Sequence, residues 1–469
     1  MDSIDLCYLS ALELRALYRK REVSPVEVTE AILSRMDQLN PSINAFVTAT
    51  PELALEQARA AEQAYGKDDP GPLAGIPVSI KDLVATKGIR TTRGSLLYED
   101  WVPDFDAPLV ERLYAAGAVV LGKTNTPELG WKGDSGNRVV GPTHNPWKHG
   151  RTAGGSSGGG AAAVAAGMGP LAQGSDGAGS IRIPSSFCGI YGLKPSFGLI
   201  AQYPASAVPW ISHLGPMART VRDAGLLLNA MAGADPVDPL TFDTDIDYLA
   251  AAEGRVENLR VAWSPDLGYA AIDPEVRQIA AAAASRFEEL GCQVEEAHPG
   301  LPDPWESIVH VLWSSAFAGI YLDNLDDCRD RIDPGLVAVM EQGQQFSAPE
   351  LAAAHIRRND YYHSWRRFMQ DYDLLLTPTL PVTAFAAGDD HPGQINGQPT
   401  TYLSWTAFTY LFNLTGQPAA TVPCGTAGNG LPVGLQIVGR WRDDATVLRA
   451  SVAFEALSPW KIEPSVDTG

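Results

Sequence analysis

The sequence predicts an α/β fold, a mixed β-sheet core flanked by helices on both faces. Three observations carry this expectation. Short strand-like segments interleave along the chain with helical stretches long enough to cross between strands. At residues 75–81 the apolar period switches from that of a helix to that of a strand. The 469 residues are 45% hydrophobic and only 19% charged, enough to bury a large core and too apolar for a disordered chain.

In chain order, the residues up to about 70 read as helical. Ser24-Pro25-Val26-Glu27 is a capping box with proline at the first helical position, and Val28, Ile32 and Met36 follow on one face. Thr50-Pro51-Glu52 opens another helix, which Gly66 ends. In Gly75-Ile76-Pro77-Val78-Ser79-Ile80-Lys81 the apolar Ile76, Val78 and Ile80 share one face, and Ser79 and Lys81 the other. Further strands are expected at 119–122, 259–263, 374–377, 420–423 and 434–438, with helices near 107–116, 220–232, 273–290, 347–370 and 443–456. Neither an internal repeat nor a linker is visible. The length accommodates one large domain or two, and the helix-rich stretch 235–370 reads as a second lobe or as a cap over the sheet.

Lys+Arg 35 against Asp+Glu 55 gives a formal net charge of −20. A surface that acidic repels phosphate backbones and anionic lipid, which disfavours nucleic acid and membrane surfaces as partners. Cys7, Cys188, Cys292, Cys328 and Cys424 are odd in number, far apart and in no C-x-x-C pair, so neither a disulfide framework nor a zinc knuckle is expected. The eight histidines form no H-E-x-x-H or H-x-x-E-H pattern, so no metal or other cofactor is expected. The acidic N-terminus and the lack of a long apolar run point to a soluble protein of a reducing compartment, the cytoplasm.

Two stretches carry chemistry. In Thr152-Ala153-Gly154-Gly155-Ser156-Ser157-Gly158-Gly159-Gly160, a flexible linker is one reading, but an Ala-rich stretch follows directly. A phosphate loop would need a lysine that is absent here. The nucleophile elbow G-x-S-x-G is satisfied twice, at Ser156 and at Ser157. That enzyme class needs a late histidine, and the only one after His363 is His391, behind Asp389 and Asp390 in a Gly/Pro-rich loop. In the second stretch, 174–184, the small residues Gly177, Ala178 and Gly179 precede Ser180. Their N–H groups can curl around a common point, a nest suited to an oxyanion; a tight turn after a strand is the plainer reading.

Taken together, Gly154-Gly155-Ser156-Ser157-Gly158-Gly159, Ser180 after 24 residues and Lys81 on a strand 75 residues before Ser156 resemble the amidase signature family of serine hydrolases. The likeness continues in Lys123-Thr124-Asn125, Asn145-Pro146-Trp147, the run 187–195, Leu376-Thr377-Pro378-Thr379, the Asn413-Leu414 motif and the run 430–436. It implies one amidase domain over 1–469, with a signature core at 70–230 and a variable helix-rich region at 235–370. It also implies a cofactor-free hydrolase that cleaves carbon–nitrogen amide bonds through a Ser180 acyl-enzyme.

By the same resemblance Ser180 is the nucleophile, Ser156 a bridging serine behind a cis peptide bond after Gly155, and Lys81 the base. The chemistry is coherent. A serine hydroxyl is a weak nucleophile until a placed base takes its proton, and lysine can do so only when burial keeps it neutral. Moving lysine from about 10.4 toward 7 corresponds to roughly 4–5 kcal/mol, which demands a dry site. The backbone N–H groups of Gly177, Ala178, Gly179 and Ser180 are the expected oxyanion hole. Ala178 stands where the family commonly has glycine, so either this position is not left-handed or the hole is altered. Asp176 and Arg182 are expected to hold the turn around Ser180, Thr152 to brace the glycine loop and Cys188 to pack. Lys123 and Lys194 are set aside as bases because neither has the matching strand context.

Family members cleave very different amides, so the triad does not name the substrate. The A subunit of the tRNA-dependent amidotransferase carries an acidic residue seven before the Asn-Leu motif; this chain has Thr406 there, in the apolar and aromatic run 402–410. Trp131 and Gly133 lie in a stretch that often lines the pocket, Tyr203 and Trp210 in a variable loop, and Trp405 in the aromatic run. These five are the expected substrate-binding residues, for a small apolar or aryl amide, with carbamates and esters open to the same acyl chemistry. The alternative is a glutaminase subunit supplying ammonia in a complex. The motifs fit a monomer and a homo-oligomer equally.

Overall fold

The computed structural model describes residues 2–67, 70–321, 323–461 and 464. Eleven strands build one mixed sheet: β1 (Phe46–Ala49), β2 (Pro77–Lys81), β3 (Val119–Thr124), β4 (Leu171–Asp176), β5 (Tyr191–Lys194), β6 (His213–Ala218), β7 (Arg260–Trp263), β8 (Gln293–Glu296), β9 (Leu374–Pro378), β10 (Ala419–Thr426) and β11 (Pro432–Gly439). Their order across the sheet is β1-β3-β2-β4-β6-β5-β10-β11-β9-β7-β8. Strands β2, β3 and β11 are buried along their whole length, so both faces of the sheet are covered there.

The topology positions the site through β2. This strand runs parallel to both β3 and β4, with Val78 opposite Leu171 and Ile80 opposite Gln173. The C-terminal ends of β2 and β4, at Lys81 and Asp176, therefore open on the same edge of the sheet. Helices Gly158–Ala165 and Arg182–Cys188, which follow the two chemistry-bearing stretches, are buried throughout.

Local sequence starts several helices where the capping residues predict them. Capping boxes at Ser24/Glu27 and Ser347/Glu350 open helices Pro25–Ile43 and Ala348–Phe368, pairing N–H groups that would otherwise be orphaned. The helices expected near 107–116, 220–232 and 443–456 are Pro108–Ala115, Val221–Met231 and Asp444–Leu457. Two expectations change. The first 70 residues are not all helical, because β1 pairs antiparallel with β3 after a left-handed Asn44 ends the preceding helix. The Asn40 side chain fixes that turn, accepting from Phe46 N at 2.8 Å. The helix expected over 273–290 is Pro274–Ser285, and successive turns carry the chain on to β8.

The stretch 235–370 contributes β7 and β8 to the same sheet, and its helices include His310–Ile320 and Pro334–Gly343. Among the described residues no helix is long and apolar enough to cross a membrane.

Candidate active site

Lys81 closes β2, and its amine enters a cluster of hydroxyls. Nζ lies 2.7 Å from Ser156 Oγ, 2.9 Å from Ser157 Oγ and 3.0 Å from Ser175 Oγ. Lys81 is fully buried, and burial pushes its pKa well below the ordinary lysine range, with the Asp176 charge opposing. A neutral amine offers two N–H donors and one lone pair. Ser157 Oγ already donates to the Ser175 carbonyl at 3.2 Å, so it accepts from Lys81. With the second N–H directed to Ser175, the lone pair is left for the hydroxyl of Ser156, the shortest of the three contacts.

The Gly-rich loop that presents Ser156 is braced from the stretch before it. The Gly155–Ser156 peptide is cis. A Cβ on Gly155 would meet Asp134 N at 2.7 Å, so only glycine passes this close to the neighbouring backbone. Thr152 Oγ1 donates to Asp134 Oδ2 at 2.6 Å and accepts from Gly154 N at 2.9 Å, the bracing expected of it. Ser135 Oγ donates to the Gly154 carbonyl and accepts from Gly158 N, each at 2.9 Å.

Asp176, at the end of β4, organises the second loop. Its carboxylate accepts from Gly179 N at 2.6 Å, from Ile181 N at 3.1 Å, and from Arg182 Nε and Nη2 at 3.0 Å each. Arg182 also donates to the Thr409 carbonyl, Gln436 Oε1 and Asn413 Oδ1, while Asn413 Nδ2 donates to the Asp176 carbonyl at 2.7 Å. Three motifs far apart in sequence thus meet on one buried ion pair. Burial alone would raise the Asp176 carboxyl, but the Arg182 charge and hydrogen bonds, with Lys194 and Asn413, hold it well below the usual carboxylate range. Ser157 N donates to the Ser180 carbonyl at 3.1 Å and ties the two loops together. Ser180 is 7% exposed, the edge of an otherwise closed site.

The left-handed position in this nest is Gly179, at φ +130°, where a Cβ would lie 2.5 Å from Thr409 Oγ1. Ala178 is not left-handed, so its β-carbon carries no such strain, and its carbonyl accepts from Thr409 Oγ1 at 2.6 Å. Of the four expected oxyanion donors, Gly179 is the exception because its N–H is committed to Asp176. Gly177, Ala178 and Ser180 keep N–H groups with no hydrogen-bond partner among the described residues.

The five residues expected to line the substrate pocket separate into two groups. Trp131 is buried and stacked on Tyr402 with ring centroids 5.1 Å apart. Trp405 is buried between Phe187 and Phe385, and Gly133 is the glycine that lets it in, since a Cβ there would meet Trp405 Cζ2 at 2.5 Å. Tyr203 and Trp210 are about half exposed, at 46% and 50%. Only Tyr203 borders a cavity of about 290 Å³ that reaches the site at Ser175 and is also lined by Leu83, Leu129, Ile320 and Arg93.

Lys123 and Lys194, which the sequence sets aside for want of a strand context, both lie on buried strands. What separates them from Lys81 is where the amine goes: Lys123 bonds Val84 O, Thr86 and Thr91, and Lys194 bonds Pro195 O and Gln417 O. Cys188 is buried, with its thiol toward the Ala153 carbonyl. His391 bonds Thr400 and the Pro392 carbonyl, and neither catalytic serine is among its hydrogen-bond partners. Sequence reasoning misses Ser157 and Ser175 as partners of Lys81, and Trp313, whose ring would lie 3.1 Å from a Cβ on Gly177. The adjacent serines of the Gly-rich run are the available signal for the first; nothing in the sequence marks Trp313.

The family model described as Amidase matches residues 27–448. The chain belongs to the amidase signature family. It is 43% identical to an acylamidase of Rhodococcus erythropolis, over 100% of this chain and 99% of the relative. It is 37% identical to the A subunit of the glutamyl-tRNA(Gln) amidotransferase of Moorella thermoacetica, over 96% of this chain and 97% of the relative. A solved bacterial aryl acylamidase of the amidase signature enzymes superposes with a TM-score of 0.89 at 31% identity, covering 97% of each chain. This amidase signature protein is accordingly an enzyme that hydrolyses amides.

Proposed function

We propose that the chain is a self-sufficient serine amidase acting on small apolar or aryl amides. The observation that carries this reading is the buried Lys81 amine, 2.7 Å from Ser156 Oγ with its pKa held down by burial. Neutral Lys81 takes the proton of Ser156 as Ser156 takes that of Ser180, and Ser180 Oγ attacks the amide carbonyl. The N–H groups of Gly177, Ala178 and Ser180 receive the developing oxyanion. The same relay, reversed, protonates the leaving amine, and water then hydrolyses the acyl-enzyme. Carbamates and aryl esters enter the same cycle. The whole chain acts as one amidase domain, since 70–230 supplies the three catalytic residues while 235–370 brings Trp313 against Gly177. Tyr203, which borders the cavity, is the aromatic residue that touches substrate in this reading, while Trp131, Gly133 and Trp405 are packing residues.

Resemblance to the amidotransferase favours a second reading, a glutaminase working in a complex. Against it, Thr406 stands where the amidotransferase pattern has an acidic residue, and it is buried with its hydroxyl donated to the Leu403 carbonyl. Hydrolysis of matched aryl amide, carbamate and ester substrates, and of glutamine, by wild type and Ser180→Ala separates the two. Turnover of the aryl series that disappears in the variant supports the amidase; turnover confined to glutamine supports the second reading.

A further inference from the structure

The cavity beside Ser175 has a mixed wall, with Leu83, Leu129 and Ile320 next to Gln202, Ser206 and Ser212, and Arg93 is the charged side chain among its lining residues. The Arg93 guanidinium carbon lies 5.0 Å from the centroid of Tyr98 and 4.6 Å from that of Trp101, two rings that themselves meet edge to face. Among the described residues no carboxylate pairs with it, and its buried Nε has no hydrogen-bond partner. Aromatic contacts of this kind supply no lone-pair acceptor, so the in-plane N–H donors of the guanidinium stay open. The backbone there is unusual too: Arg93 sits at φ +54°, where non-glycine residues are uncommon, next to Gly94 at φ +67°. Behind the wall, Lys123 binds the carbonyl of Val84, another residue of the cavity wall, and its charge is opposed by the carboxylates of Asp82 and Asp106.

The cavity is continuous with the chemistry. Ser175 belongs both to its wall and to the Lys81 hydroxyl cluster, at 3.0 Å from Nζ. Leu83, also in the wall, packs by Gly130 next to Ser156. A ligand held here has one end at Ser175, against the Lys81 hydroxyl cluster, and the other within reach of Arg93.

Resting on the amidase reading, we infer that the Arg93 guanidinium receives a carboxylate at the far end of the substrate, so that the preferred amides carry an anionic group beyond an apolar or aryl spacer. In a protein of net charge −20 such a substrate needs a local cation, and Arg93 is the one that lines this cavity. Planar, bidentate recognition of a carboxylate is what a preorganised arginine does best.

Two matched pairs test this, one for each end of the amide: hexanoyl 4-nitroanilide against the mono-4-nitroanilide of adipic acid, and acetanilide against 4-acetamidobenzoate. In wild type one carboxylated member should exceed its neutral partner in kcat/KM by about tenfold or more, a charge-assisted contact's worth. The ratio should fall to near one in Arg93→Met and recover in part in Arg93→Lys, which a merely structural role for Arg93 would not produce. No carboxylate preference in either wild-type pair, or an unchanged ratio in Arg93→Met, overturns the inference. Failure of wild type to hydrolyse any anilide defeats the amidase reading instead. In that case thermal stabilisation by 4-acetamidobenzoate or adipate, lost in Arg93→Met, still reads the carboxylate site, and its absence in wild type overturns it.

Discussion

Lys81 Nζ and Ser156 Oγ stand 2.7 Å apart, one at the end of a fully buried strand and the other just after a cis peptide bond. Neither position is reached by local sequence preference alone. The parallel pairing of β2 with β4 brings the lysine to the edge where the serine loops lie, and Asp134, Ser135 and Thr152 hold the loop that presents Ser156.

The pH dependence follows from the direction of the Lys81 shift. Below its depressed pKa the residue is an ammonium with three donors and no lone pair, and it cannot take a proton. Activity should therefore fall on the acid side and rise to a plateau as pH increases, well before the ordinary lysine range is reached. Lys81→Arg, which stays charged, and Lys81→Met should each lose about 10²–10⁴ in kcat. A pH–rate profile of wild type checks the limb; a flat profile contradicts the role.

Ser157→Ala should move that limb. The hydroxyl accepts from Lys81 at 2.9 Å, and its loss removes an acceptor that favours the ammonium more than the amine. The acid limb should shift to lower pH while kcat drops, because one buried N–H is left unpaired at a cost of about 1–3 kcal/mol. A shift to higher pH would show that the hydroxyl serves Lys81 in some other way.

Arg182→Met should destabilise the fold by about 3–5 kcal/mol, since it leaves the Asp176 carboxylate buried without its partner. The folded-state pKa of Asp176 lies below its unfolded value, so its stabilising contribution is complete above the unfolded carboxylate range, about 3.9, and is lost as pH falls toward the folded value. Denaturant unfolding of wild type should lose stability through that acid window, and the variant should lose less there.

Trp405→Ala should act on stability and Tyr203→Ala on substrate. Trp405 fills a space between Phe187, Phe385 and Gly133, and truncating so large a buried ring costs about 3–5 kcal/mol. Tyr203 is half exposed at the cavity, and its removal should raise KM with stability changed by less than about 0.5 kcal/mol. Melting curves and steady-state kinetics on both variants decide it; a Trp405 variant of normal stability and raised KM would return that residue to the pocket.

What can be read from sequence divides along physical lines. Helix starts are local chemistry, and Ser24 with Glu27 declares one without reference to the rest of the chain. Strand β1 is four residues long and exists because β3 is there to pair with it, a relation no short window contains. Strand β5 includes Gly192 and β6 includes Gly215 and Pro216, residues that weaken any strand pattern; their neighbours in the sheet hold them. The burial of Lys81 follows from its apolar strand. That Ser157 and Ser175 complete its hydrogen bonds does not, because hydroxyls carry no spacing rule toward a lysine on another strand. The Gly179 N–H has the place of an oxyanion donor in the sequence, but the fold commits it to Asp176, three residues back.

The most direct measurement is covalent labelling with a fluorophosphonate, followed by peptide mass analysis, across pH, for wild type, Lys81→Met and Ser180→Ala. The account requires one adduct on Ser180, formed at a rate that climbs with pH along the Lys81 limb, abolished in Ser180→Ala and strongly slowed in Lys81→Met. An adduct on Ser156 or Ser157, or labelling of Ser180 at the wild-type rate in Lys81→Met, would contradict it.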